Sequence, residues 1–171
     1  VAFMAGEIGG CNGLEPLVLS AQADGRVVLD GDMMGRAFPE LQMNTACFAG
    51  LPLTPCALAD KHGNVVVVQR ATGPKKVEAL LRPVCSEMGC AAGFAERPLS
   101  VAECREVAVP GTLSHAWHLG RAILEARRDH QDPVSAILRA YPGGRLLCIG
   151  KVADVCRRTT AGFARGSLRL D

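Results

Sequence analysis

An α/β fold is the architecture this sequence predicts: a parallel sheet with flanking helices, followed by a β-rich, barrel-like second part. Three observations carry the expectation. Short apolar, β-prone runs alternate with amphipathic stretches through residues 1–70, the pattern of helix-covered parallel strands. After Pro142-Gly143-Gly144, short β-prone runs alternate with glycine, as antiparallel strands of a small barrel do. Charge also changes sign, from net −3 over residues 1–70 to net +5 over residues 71–171. With Ala71-Thr72-Gly73-Pro74 at the change, the domain boundary is expected at 70/71.

Each element has its own reason. Residues 1–5 form a short apolar strand that runs into Gly6-Glu7-Ile8-Gly9-Gly10. A helix over 13–23 would place Leu14, Leu17, Val18 and Ala21 on one buried face, the i, i+3, i+4, i+7 spacing. Asp24-Gly25 ends it, and residues 26–29 read as a buried-type strand. After a loop, a helix begins near Pro39 and stops at Gly50, since proline suits a first helical turn. Residues 55–59 and 64–69 are strands joined by a turn at Lys61-His62-Gly63. The next helix, over 75–88, carries Val77, Leu80, Leu81, Val84 and Met88 on one face, with Pro83 expected to kink or split it. Pro110-Gly111-Thr112 leads into a helix to about residue 128, with Leu113, Ala116, Trp117, Gly120, Ile123 and Leu124 facing inward. Asp132-Pro133 opens a short helix, and strands follow at 146–149, at 152–155 and from 163 onward.

Composition excludes several classes. A chain of 171 residues that is 49% hydrophobic and 21% charged is neither disordered, collagen-like nor a coiled coil. A net charge of +2 gives no basic stripe, so no nucleic-acid partner is expected. The longest apolar runs, such as residues 65–68, fall far short of the ~20 residues of a spanning helix, and residues 1–7 lack a basic signal-peptide start. A cytoplasmic protein without membrane contact is the expectation. The eight cysteines include no C-x-x-C pair, so reduced, mostly buried thiols are expected.

Chemistry concentrates in two loops. In the first, the 27–29 strand delivers Asp30 and Asp32 past its end, with Gly31, Gly35, Arg36 and Glu40 close behind. Two nearby carboxylates can divide into acid and base, or hold a divalent ion through oxygen. Arg36 offers a fork of donors for a carbonyl or carboxylate. The plainer alternative makes Asp30 and Asp32 turn-formers, pairs Arg36 with one of them, and puts Glu40 at a helix N-terminus. In the second loop, the amides of Glu7-Ile8-Gly9-Gly10-Cys11-Asn12-Gly13 could cradle an anion or a carbonyl oxygen, or Asn12 simply caps the helix. In a parallel sheet both loops open on one edge, where ligands bind, so Glu7, Asn12, Asp30, Asp32 and Arg36 would converge on one pocket.

Weaker signals read as structure. His115 and His118 lack a third ligand. Thr112 and Ser114 read as helix caps. Cys11 has no neighbouring base. The basic residues Arg145, Lys151, Arg157, Arg158, Arg165 and Arg169 read as a solvated face. The glycine pattern is not G-x-G-x-x-G, and no Walker lysine follows it.

Together these motifs are distinctive. E-I-G-G-x-N at 7–12 and D-G-D-x-M-G-R-A-F-P-E at 30–40 are followed by Leu41-Gln42-Met43. Further along come G-T-L-S at 111–114, Gly120, G-K-V at 150–152 and G-F at 162–163. In this order they resemble the S-methyl thiohydantoin desulfurase-like family, a domain-of-unknown-function grouping associated with hydantoinase and oxoprolinase systems. The resemblance implies an α/β N-terminal domain and a barrel-like C-terminal one. It also implies that this chain is an internal piece, incomplete at both ends, of proteins about twice as long that form homo-oligomers.

As to activity, the resemblance implies a hydrolase or desulfurase acting on a hydantoin- or thiohydantoin-type cyclic amide. On that view Asp30 and Asp32 activate water by acid–base or metal-assisted chemistry and Arg36 polarises the substrate carbonyl. Glu7 and Asn12 form the opposite wall, and Gly9, Gly10, Gly35 and Glu40 contact substrate. Asp32→Asn would then abolish turnover in a full-length relative while leaving its melting temperature nearly unchanged. Two alternatives stand beside it: a non-catalytic metabolite-binding or partner subunit of a hydantoinase-type complex, and a fragment with no function of its own.

Overall fold

The computed structural model describes residues 1–160 and 163–171; Gly162 of the G-F motif lies outside them. In chain order the elements are α1 (Glu15–Gln22), β1 (Gly31–Asp32), α2 (Thr45–Phe48), β2 (Cys56–Ala59), β3 (Val65–Val68), α3 (Pro74–Glu87) and β4 (Gly93–Ala95). They continue with α4 (Val101–Val107), β5 (Val109–Pro110), α5 (Thr112–Arg128), α6 (Pro133–Ala140), β6 (Val152–Thr160) and β7 (Phe163–Leu170). The chain forms two compact units, Val1–Thr112 and Leu113–Asp171. Among the described residues no helix is long and apolar enough to cross a membrane.

In the first unit the main sheet has the order β3-β2-β4 and is antiparallel throughout. The β2–β3 hairpin forms where expected. The Asp60 carboxylate accepts the backbone N–H groups of His62 (2.8 Å) and Asn64 (2.9 Å), and Gly63 takes the positive φ the turn requires. Strand β2 alternates, turning Cys56 and Leu58 inward, where they meet Leu53 and the Val77 and Leu81 stripe of α3. Each fully buried Leu or Val side chain contributes about 1.5–3 kcal/mol, so this helix-on-sheet contact is the main core. Pro83 does not split α3, which runs unbroken through it. The carbonyl that loses its partner belongs to Ala79, an exposed residue that water can reach.

A second core joins Met33, Ala46 and Val107. Strand β1 pairs antiparallel with β5, and the Thr45 hydroxyl reaches the Val107 carbonyl at 2.5 Å. These contacts hold α2, β1 and the end of α4 together.

Several expectations are corrected. The sheets are antiparallel, and the parallel pairing seen among the described residues is a single bridge, Phe3 to Val28. A short turn makes β2 and β3 antiparallel, and β4, which returns through α3, pairs antiparallel with the other edge of β2. The extended run at 26–32 is also cut off when Asp32 takes up the amides that follow it. The 26–29 run is not buried, for Val27 and Leu29 are exposed. Helix α1 buries Pro16 while Leu14, Leu17 and Val18 face solvent. No helix starts at Pro39; α2 starts after Asn44, whose side chain accepts the Cys47 N–H at 2.8 Å. Helix α4, absent from the expectation, carries a capping box in which Ser100 and Glu103 satisfy each other's backbone.

The second unit holds α5, α6 and the antiparallel β6–β7 hairpin. Asp132 caps α6 by accepting from Val134 and Ser135. The described residues close no barrel: β6 is exposed along its whole length, and residues 146–149 form no strand. A two-stranded ribbon cannot curl into a closed sheet on its own. The expected inward stripe of α5 is partly outward, with Trp117 58% and Leu124 64% exposed. The arginines of the hairpin are solvated, as expected.

Candidate functional site

The Glu7 loop is built by glycine. The Asn12 N–H closes a turn on the Gly9 carbonyl at 3.0 Å, and Gly10 sits at φ +52. A Cβ on Gly9 would lie 2.4 Å from the Ala37 Cβ, so the loop packs directly on the 36–40 segment because position 9 has no side chain. Glu7 completes the junction: one carboxylate oxygen accepts the Asn12 side-chain N–H at 2.5 Å, the other the Phe38 backbone N–H at 3.2 Å. Glu7 and Asn12 therefore meet the segment that follows Asp32, although no parallel sheet brings them there.

A cavity of about 310 Å³ opens beside this junction. Phe3, Phe38, Leu41 and Phe94 give it apolar walls; Glu7, Asn12, Glu15, Glu40 and Glu96 supply its polar groups. Glu40 is engaged by the Gln42 side-chain amide.

Asp30, Asp32, Arg36, Gly9, Gly10 and Gly35 are not among the lining residues. Asp32 is wholly buried, and its oxygens accept the N–H groups of Met34 (3.2 Å) and Gly35 (2.9 and 3.0 Å). It makes the turn at Gly35, where φ is +68. The Asp30 residue is exposed, and its carbonyl accepts the Gly111 N–H at 2.8 Å. Arg36 is exposed, with its guanidinium 5.0 Å from the centre of the Phe38 ring. Both carboxylate oxygens of Asp32 are thus engaged by its own turn. Among the described residues no group of three His, Cys, Asp or Glu side chains could hold a metal ion.

Glu96 is the residue that sequence reasoning missed. It follows β4 directly, and its carboxyl accepts the side-chain N–H of the fully buried Asn44 at 3.2 Å. Burial pushes its pKa up to about 7, against the smaller opposing pulls of the Asn44 hydrogen bond and the Arg97 charge. Nearby, burial and then the Glu96 charge raise the Cys47 thiol to about 11 and push Cys56 upward as well. A half-buried carboxyl raised toward neutrality can give and take a proton at physiological pH.

The remaining candidates are structural or exposed. His115 packs edge-on against Tyr141, and His118 against Trp117, in the second unit. The cysteines are all free thiols, as expected, but they are not mostly buried: Cys56 is buried, and Cys11, Cys90, Cys148 and Cys156 are exposed.

Residues 1–70 match the S-Me-THD-like N-terminal domain, and residues 72–171 match the S-Me-THD-like C-terminal domain. Among solved structures the chain is similar to the crystal structure of a protein from Chromobacterium violaceum, at 32% identity and a TM-score of 0.66. The similarity covers 81% of this chain and 39% of that one, so this chain spans well under half of its length. No curated protein matches. With both domain matches in order along nearly the whole sequence, and the Glu7–Asn12 loop seated on the 36–40 segment, the chain belongs to the S-Me-THD-like family.

Proposed function

We propose that this chain supplies the substrate cavity of an enzyme that hydrolyses or desulfurises a small cyclic amide of the hydantoin or thiohydantoin type. Family membership supports the substrate class. A volume of about 310 Å³ lies at the small end of ligand pockets, which run from ~300 Å³ upward, and suits a five-membered ring better than a nucleotide. One observation carries the reading: Glu7, tied to both Asn12 and Phe38, lines a cavity whose other walls are largely apolar. Such a site sandwiches a flat ring between Phe38, Phe94 and Leu41, and meets the ring's N–H and C=O groups with the Glu7 carboxylate and the Asn12 amide. Arg36, outside the cavity, stacks on the Phe38 ring and helps to hold that wall in place. Asp32 acts indirectly, by shaping the turn that presents residues 36–40.

The test is calorimetric titration with hydantoin and an S-methyl thiohydantoin, alongside an assay for ring opening and thiol release. Binding with turnover supports the reading. Binding without turnover, with activity appearing only on addition of hydantoinase-type subunits, makes this a binding subunit instead. No binding to either compound overturns it.

A further inference from the structure

We propose that Glu96, fixed by Asn44 in the wall of this cavity, is the acid–base residue that delivers a proton to the leaving atom of the bound ring; the role rests on the cyclic-amide reading above. The geometry singles Glu96 out. Asn44 is itself immobile, because it is fully buried and its Oδ1 caps α2 through the Cys47 N–H. Its Nδ2 donates to Oε1 of Glu96, which leaves Oε2 as the oxygen that can carry a proton. The adjacent cation does not neutralise Glu96. Arg97 spends its donors on the Pro52 carbonyl (3.0 Å), the Pro98 carbonyl (3.2 Å) and Glu103 (2.7 Å). The other titratable groups facing this region are Cys47 and Cys56 on the packed side and Glu7, Glu15 and Glu40 in the cavity. Both thiols are pushed away from ionisation, so no thiolate competes for the proton.

The step balances with water as co-reactant. Water oxygen bonds to the ring carbon and passes its proton to the Glu7 carboxylate. The C–N or C–S bond breaks, its electron pair stays on the leaving nitrogen or sulfur, and that atom takes the Glu96 proton. Exchange with solvent then resets both carboxyl groups. Burial holds Glu96 near pH 7, where a general acid is most effective.

The experiment pairs carbon-13 NMR of glutamate side-chain carboxyls with hydantoin titration from about pH 5 to about pH 9, on the full chain and on Glu96→Gln. One carboxyl titrating near 7 is expected in the native protein and should vanish in the variant. Ring opening of bound hydantoin, followed through the same pH series, should slow about tenfold per pH unit above that point and lose that pH dependence in Glu96→Gln. An unchanged pH slope in the variant overturns the proposal, as does the absence of any glutamate titrating above about pH 6. The NMR arm needs no variant, so poor folding of Glu96→Gln leaves the test intact. Failure of hydantoin to bind at any pH, beside a carboxyl titrating near 7, overturns the cyclic-amide reading and the ring protonation with it.

Discussion

The Glu7 carboxylate accepts the backbone N–H of Phe38 at 3.2 Å across 31 positions of the chain, while its other oxygen holds Asn12. Both oxygens act as acceptors, which tells the two possible substitutions apart. A glutamine can keep Phe38 with its carbonyl and let Asn12 turn its amide round, so Glu7→Gln should melt close to the parent. It nevertheless loses the carboxylate that faces the cavity, and hydantoin binding should drop at least tenfold. Glu7→Ala removes both bonds, but their donors are exposed and water can take them up, so it should cost only about 0.5–1.5 kcal/mol. Thermal melts combined with calorimetry check both variants; normal hydantoin binding by Glu7→Gln would remove Glu7 from the site.

Asp32 yields a contrasting expectation. Its carboxylate is buried against the amides of Met34 and Gly35. Asparagine would point an NH₂ group at one of these donors, so Asp32→Asn should lose about 1–3 kcal/mol in urea denaturation. Its folded fraction should still bind hydantoin. Retained stability with lost turnover would instead place Asp32 at the chemistry.

What was legible in the sequence was local. Asp60 beside Gly63, Pro74 after Gly73, and Asp132 before Pro133 each carry their own turn or cap, and those elements formed where the residues said. The Ser100–Glu103 capping box that starts α4 is equally local. The Glu7–Asn12 loop was recognisable by its glycines. Which faces are buried was not, because Leu17 and Val18 of α1 belong to the expected buried stripe and yet face solvent. Glu96 left no local trace: its burial depends on Asn44, 52 positions away in the chain. Asp32 misleads for the opposite reason, since carboxylates at a strand end look alike whether they face a ligand or their own backbone.

Gly9 tests the loop junction directly. An added methyl would overlap the Ala37 Cβ at 2.4 Å, an atom fixed to its backbone, and would crowd the Glu7 Oε1 at 3.1 Å. Gly9→Ala should therefore cost about 1–3 kcal/mol and weaken hydantoin binding by separating Glu7 from Phe38. Gly6→Ala, where nothing lies within 4 Å of the new methyl, is the control. Equal stability of the two variants would show that the loops are not in contact.

Thiol chemistry reports on the Glu96 region. Cys11, Cys90, Cys148 and Cys156 are exposed and should react promptly with an aromatic disulfide reagent at pH 8, whereas Cys56 is buried. Cys47, held at about 11 by burial and by the Glu96 charge, presents about a thousandth of its thiol as thiolate at that pH. It should label far more slowly, and Glu96→Gln should speed it by removing the smaller of the two causes. Fast labelling of Cys47 in the native protein would contradict its burial beside Glu96.

Stability should vary with pH in two separate windows. Glu96 is raised, so the folded state binds its proton more tightly than the unfolded chain does. Its contribution is complete below the ordinary glutamate range of ~4.3 and is lost as pH rises to about 7, a change on the order of 3 kcal/mol. Glu103 runs the other way, held down to about 2 by the Arg97 side chain and the Ser100 backbone. Asp60, Asp129 and Asp132 are lowered as well, each chiefly by a side-chain hydrogen bond. These four stabilise above their ordinary values and lose that contribution as acid protonates them. Urea denaturation across the range should therefore peak between pH 4 and 5 and decline toward pH 8, and Glu96→Gln should flatten only the upper slope. A parent protein that gains stability between pH 5 and pH 7 would mean that water reaches Glu96 freely, and the cavity would lose its acid.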